Sequence, residues 1–147
     1  MVNNKYLYSE LTEKIIGCAM KVHNKMGNGY REEVYQRCLA IEMTKIDLKY
    51  NRELEVQIHY DGFKVGLRRV DFLVENKVVV ELKAIKKIED DDWAQAINNL
   101  ESSKIKVGLL INFGAKKLEF KRFINSQINK VQTKSDKSVV KSEKISG

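Results

Sequence analysis

Arg69-Val-Asp-Phe-Leu-Val-Glu-Asn-Lys-Val-Val-Val-Glu-Leu-Lys83 is the stretch from which the fold can be read. Val70, Phe72, Val74, Val78, Val80 and Leu82 take the even positions of its two arms. Arg69, Asp71, Glu75, Lys77, Glu81 and Lys83 take odd positions, with Leu73 and Val79 as apolar exceptions. Successive side chains of a strand point to opposite faces, so this parity predicts a β-hairpin with one buried and one charged face. Glu75-Asn76-Lys77 reads as the turn. A three-residue loop pairs Val74 with Val78 and sets Asp71 opposite Glu81. Directly opposed side chains have Cβ atoms roughly 4.5–5.5 Å apart. Two carboxylates that close repel unless a cation or a shared proton intervenes. Lys83 points the same way as Glu81. Two acids and a lysine around one point suit a divalent metal and a water that it activates.

The same parity argument extends upstream. Leu54, Val56, Ile58 and Tyr60 alternate with polar residues, Asp61-Gly62 is a two-residue hairpin turn, and Phe63, Val65 and Leu67 continue on the return strand. Apolar positions are odd before Arg68 and even from Val70 onward. A regular strand cannot change parity and keep one face buried, so a bulge, bend or break is expected near Arg68–Arg69. Before the strands, Leu11, Ile15, Cys18, Val22 and Met26 mark a helical stripe, with Thr12 or Ser9 as its cap. Gly27-Asn28-Gly29 breaks the chain. A second helix is expected over about Tyr30–Thr44, with Val34, Cys38 and Ile41 on its apolar side. After Lys83, Glu89–Asp92 opens a third helix to about Ser103; acids there complement the helix dipole rather than bind metal. Val107–Phe113 is a continuous apolar run, as in a strand covered on both faces. Leu118, Phe120 and Ile124 mark one more strand or the start of a helix. This order predicts an α/β domain over residues 10–125 with a central mixed sheet. Residues 1–9 are a lead-in, and 126–147 form a Lys/Ser-rich tail that cannot build a core.

Composition narrows the class. The chain has 147 residues, 43% of them hydrophobic, enough for one domain with a core. Its net charge is +7, of which Ser126–Gly147 supplies +3 through five lysines, Asp136 and Glu143. A basic balance points to a polyanionic partner, most simply nucleic acid. Cys18 and Cys38 do not have zinc-site spacing and read as reduced core residues. No run is apolar enough to span a membrane and no signal-peptide pattern opens the chain, so an intracellular, cytoplasmic protein is expected.

The pieces in this order resemble the PD-(D/E)xK nuclease superfamily, with its restriction-endonuclease-like αβββαβ core flanked by helices. More narrowly, the chain resembles the GxxExxY family through Gly29-Tyr-Arg-Glu32-Glu-Val-Tyr35, Val80-Glu-Leu-Lys83, Ala94-Gln95 and Gly108-Leu-Leu-Ile-Asn-Phe-Gly114. The resemblance implies a nuclease that hydrolyses phosphodiester bonds with Mg²⁺ or Mn²⁺, on DNA ahead of RNA. Asp71 and Glu81 would ligate the metal with the Leu82 carbonyl, and Lys83 would orient or help deprotonate water. Glu32 resembles the extra helical acid of RecB-like members, and Gln95 the glutamine of the helix after the Glu-x-Lys strand. That glutamine is often followed four residues later by tyrosine; here Asn99 stands there, which leaves the substrate-side motif incomplete. Proline before the first acid is replaced by Val70.

Bland readings stand beside these. The hairpin face is otherwise a ladder of self-neutralising charges. Arg69, placed opposite Lys83, is a phosphate contact or a salt-bridge partner. Tyr35 is a substrate contact or a packing residue, and Lys86 and Lys87 are phosphate contacts or ordinary loop lysines. His23 and Trp93 read as structural, and His59 has no role. Two further classes stay open: a catalytically silent nuclease-fold module for binding or assembly, and a hydrolase of nucleotides or structured junctions. A homodimer would suit a small nuclease that cuts both strands.

Overall fold

A computed structural model of the chain describes residues 6–125. The Lys/Ser-rich segment 126–147 lies outside the described residues, as do residues 1–5. The elements follow in the order α1 (Ser9–Met26), α2 (Glu32–Lys45), β1 (Tyr50–Tyr60), β2 (Phe63–Val74), β3 (Val78–Lys83), α3 (Asp90–Ser103), β4 (Val107–Asn112) and β5 (Glu119–Ile124). The strands form one sheet in the order β1-β2-β3-β4-β5. Only β3 and β4 run parallel, across the α3 crossover; the other neighbours are antiparallel. The fold is α/β, with the expected mixed sheet and flanking helices.

Two cores account for the sequence pattern. Phe72, Val74, Val78, Val80 and Leu82 pack against α1 and α2 through residues such as Ile15, Leu39 and Met43. Leu73 and Val79, the apolar exceptions of the hairpin, belong to the opposite core with Ala96 and Leu100 of α3. The hairpin is therefore covered on both faces near its turn. β4 is buried throughout, Leu109 and Ile111 facing one core and Leu110 the other. Hydrophobic burial on both sides explains its unbroken apolar run.

The change of parity in β2 has a different cause from the expected break. No register shift lies at Arg68–Arg69. The extra residue is Val65: His59 pairs with Lys64, whereas Ile58 pairs with Gly66. Phe63, Val65 and Leu67 are exposed at this end of the hairpin and are not core residues. A second irregularity lies at Asp71. Phe72 joins the α1/α2 core, yet Val70, two residues away, joins the α3 core. On β1, Tyr50 and Leu54 divide in the same way, and Glu53 between them has φ +56°. The ribbon thus swaps faces at Asp71 without slipping register, since Arg52↔Phe72 and Leu54↔Val70 keep one frame.

Other boundaries also differ. α1 is capped by Tyr8 in a left-handed conformation with no side-chain cap; the Thr12 hydroxyl donates to the Ser9 carbonyl instead. Gly27 ends that helix at φ +73°, where a Cβ would strain the backbone. On α2 the buried side is Tyr35, Leu39 and Met43, one or two residues on from the expected stripe, and Ile41 is exposed. Glu89 and Asp92 form a reciprocal capping box at the start of α3, as the acid run implied.

The end of β3 is clasped from the β4 side. The Phe113 N–H donates to the Lys83 carbonyl at 2.8 Å. Asn112 Oδ1 accepts from Ile85 N and Gly114 N, both at 3.0 Å. His23 is structural, its Nε2 lying 3.0 Å from the Ala115 carbonyl oxygen. A Cβ on Gly114 would come within 2.3 Å of the Ile85 backbone, whereas one on Gly17, exposed in mid-α1, meets nothing within 4 Å. Gly114→Ala should therefore destabilise the fold by about 3 kcal/mol, and Gly17→Ala should stabilise it by about 0.8 kcal/mol. Urea unfolding of both variants checks this; equal midpoints would contradict the clasp.

Candidate active site

The turn sets the hairpin register as read from sequence, with Val74↔Val78, Leu73↔Val79 and Phe72↔Val80. There the backbone ladder between β2 and β3 stops. The Asp71 side chain takes the next place, its Oδ2 accepting the Leu82 N–H at 2.8 Å. Beyond that bond lies a cleft of about 360 Å³, bordered by β2 and β3 and by the two helices α2 and α3. Glu32, Asp71, Glu81, Leu82, Lys83 and Gln95 all line it. Four separate elements thus deliver the candidate catalytic residues to one place.

The three acids are held at a cost. Glu81 is 8% exposed, and burial first of all pushes its carboxyl up to about 7; Asn99 and Lys83 pull the other way and Asp71 adds to the rise. Burial likewise raises Asp71, against hydrogen bonds from Leu82 and Gln36. Glu32, in the first turn of α2, is raised by burial, with Lys83 opposing and Asp71 and Asp92 adding. Desolvation disfavours the charged form of each. Neutral amides fix two of them: Gln36 Nε2 donates to Asp71 Oδ1 at 2.8 Å, and Asn99 Nδ2 donates to Glu81 Oε2 at 2.5 Å. Lys83 Nζ donates to Gln95 Oε1 at 3.0 Å and lies 3.8 Å from Asp92 Oδ1.

Four expected contacts are elsewhere or on the margin. Arg69 borders the cleft, and its ion pairs lie on β1, with Glu53 at 3.6 Å and Glu55 at 3.9 Å. Tyr35 is fully buried, so it is a packing residue and not a surface for substrate. Its hydroxyl donates to the Gly27 carbonyl at 2.6 Å and accepts from Tyr30 N at 3.1 Å. Lys86 and Lys87 are exposed in the loop after β3 and do not border the cleft. Gln36, Arg68 and Asn99 went unread as site residues. Gln36 lies four residues after Glu32, and Asn99 four after Gln95, the helical spacing that repeats a face. Arg68 was signalled only by a cation at an even, apolar-parity position.

Residues 9–123 match the PD-(D/E)XK nuclease superfamily. The chain belongs to it. No curated protein matches the chain. Among solved structures, the nuclease-superfamily chain is similar to an alkaline exonuclease, LHK-Exo, from Laribacter hongkongensis. Identity is 11% and the TM-score 0.45, over 76% of this chain and 64% of that one, so it spans less than two thirds of the exonuclease. It is also similar to the protein SSO0001, at 13% identity and a TM-score of 0.48, over 93% of this chain and 69% of the other.

The superfamily generally uses divalent metals, and the donors can be tested for fit. Among the described residues no three acidic, histidine or cysteine groups form a ready cage. Each Asp71 oxygen accepts one hydrogen bond, and a carboxylate has about four lone-pair sites, so donor capacity remains. An open, all-oxygen set of few protein ligands suits a hard cation that keeps its waters.

Burial of Glu81 sets a pH dependence. Its folded value of about 7 exceeds the ordinary 4.5. Between those values the folded state binds a proton that the unfolded state has lost, so stability falls as pH rises through this window. The loss from Glu81 is on the order of 3 kcal/mol. In EDTA, Glu81→Gln should match the parent near pH 4.5 and be clearly more stable at pH 8 by thermal or urea unfolding. Equal stability of the two at pH 8 would contradict the assignment.

Proposed function

We propose that this chain is a metal-dependent nuclease hydrolysing phosphodiester bonds in nucleic acid, with DNA ahead of RNA and Mg²⁺ or Mn²⁺ as the ion. The observation that carries this reading is the convergence of Asp71, Glu81, Lys83, Glu32 and Gln95 on one cleft. Asp71, Glu81 and Glu32, with the Leu82 carbonyl, would hold the ion. When bound, such an ion supplies Lewis acidity and lowers the pKa of water. Lys83 orients the attacking water and stabilises charge developing on the phosphoryl oxygens. Gln95 fixes the direction of the Lys83 ammonium through their 3.0 Å hydrogen bond. Lys86 and Lys87, exposed in the loop after β3, would contact phosphates outside the cleft.

We further assign the chain to the GxxExxY group. Supporting this, the residues of that motif have separable physical roles: Glu32 borders the cleft, and Tyr35 pins the turn before it. Two free cysteines, Cys18 and Cys38, accord with a reducing, cytoplasmic setting. No helix among the described residues is long and apolar enough to cross a membrane. A homodimer would bring two clefts to a duplex; sedimentation with and without DNA tests that part.

One observation favours a second reading, a silent nuclease-fold module. Both Asp71 oxygens and Glu81 Oε2 already accept hydrogen bonds within the protein. Incubation with plasmid, single-stranded DNA and RNA, plus Mg²⁺ or Mn²⁺, separates the two. Asp71→Ala and Lys83→Ala should each lower cleavage by about 100-fold or more. Undiminished cleavage in either variant would reject this site. No metal binding at millimolar concentration by folded protein would favour the silent module.

A further inference from the structure

Three cations border the cleft, and two already have carboxylate partners: Lys83 with Asp92, and Arg69 with Glu53 and Glu55. Arg68 forms no ion pair among the described residues. Its Nη1 donates at 3.2 Å to Oδ1 of Asn99, a neutral acceptor. The same amide donates from Nδ2 to Glu81. Asn99 is 5% exposed, and a donor on one side with a carboxylate on the other settles which of its atoms is oxygen. One buried amide therefore spaces a guanidinium from an acid: the Arg68 charge still favours the ionised Glu81, but the two form no ion pair. The face change at Asp71 makes this possible. Arg68 shares the parity of Val70, which belongs to the α3 core, so α3 can reach it through Asn99.

A guanidinium has five N–H donors, and its planar fork matches phosphate oxygens in a bidentate way. One donor on Asn99 leaves the rest for an anion entering the cleft that Arg68 lines. We propose that Arg68 binds the substrate phosphate in this cleft, and that Asn99 is the positioning residue that sets it relative to Glu81. The proposal rests on the reading of the cleft as a phosphodiester site. It also gives Asn99 a substrate-side task through its neighbour.

The test is binding of a fluorescent oligonucleotide to the full chain in EDTA, where the metal-dependent reaction is off, by anisotropy over a range of salt. Arg68→Gln should weaken binding about tenfold and lower the slope of log K against log salt by about 1. Arg68→Lys should keep the slope, since the charge stays, and bind less tightly, since the fork is lost. Asn99→Ala should weaken binding in the parent and add little in the Arg68→Gln background, because the two act as one unit. Melting curves establish that each variant is folded; if Arg68→Gln is not, the lysine variant carries the test. Parental affinity and slope in the Arg68 variants would overturn the proposal and leave the nuclease reading standing. Fully additive loss from Asn99→Ala would overturn its positioning role. A parent chain that binds no oligonucleotide at any salt would overturn both the nuclease reading and the proposal.

Discussion

The hydrogen bond from Leu82 N to Asp71 Oδ2, 2.8 Å long, is the interaction on which the site depends. A backbone N–H at that point of β3 needs a partner, because Leu82 is buried. A sheet ordinarily supplies a carbonyl. Here a side chain supplies a carboxylate, and the β2–β3 ladder ends at Phe72 and Val80. The cleft lies where the ladder is missing. One acid therefore both satisfies the strand and lines the cleft. Its other oxygen is held by Gln36, so its position is set by two donors from two elements.

Three side-chain amides organise what surrounds it. Gln36 holds Asp71, Asn99 holds Glu81 and Arg68, and Gln95 holds Lys83. An amide fixes geometry without cancelling charge, in contrast to a salt bridge. The cost is visible in the acids, each raised by burial and incompletely compensated. Such a cluster is poor at stabilising the fold and well suited to attract a cation. Of the two cations held by these amides, Lys83 also sits beside a carboxylate, Asp92, and that acid is also occupied by the Glu89 N–H of the helix cap. The helix start of α3 and the placing of Lys83 are thus one arrangement.

What was legible in the sequence was whatever a short-range rule determines uniquely. A three-residue turn and period-two alternation left one hairpin register, and the structure has it. The unbroken run from Val107 reads as a strand covered twice, and β4 is one. The acids before Trp93 could be read as a cap because capping is local. What failed depended on distant partners. α2 carries apolar residues on two adjacent stripes, and only the sheet decides that Tyr35, Leu39 and Met43 are the inner one. Phe63, Val65 and Leu67 alternate like core residues but extend beyond the helices that would cover them. The swap of faces at Asp71 needs a positive φ at Glu53, a residue with no glycine-like signal. Asn99 was visible as a departure, yet its use is apparent only when Arg68 is beside it.

Tyr35, of whose two readings the buried packing role holds, still serves the site. Its ring stacks on Phe113, centroids 4.6 Å apart and planes within 10°. The Phe113 backbone N–H is the group that holds the Lys83 carbonyl. Its hydroxyl ties down Gly27 and Tyr30, the turn from which α2 starts with Glu32. One stacked pair therefore joins the helix end that presents Glu32 to the strand end that presents Lys83. Buried aromatic pairs of this kind contribute about 0.5–1.5 kcal/mol beyond their burial. Here that energy fixes a distance between two charged groups that never touch the pair. The spacing from Gly29 through Glu32 to Tyr35 follows from this: one turn of helix separates the residue that faces the cleft from the residue that anchors it.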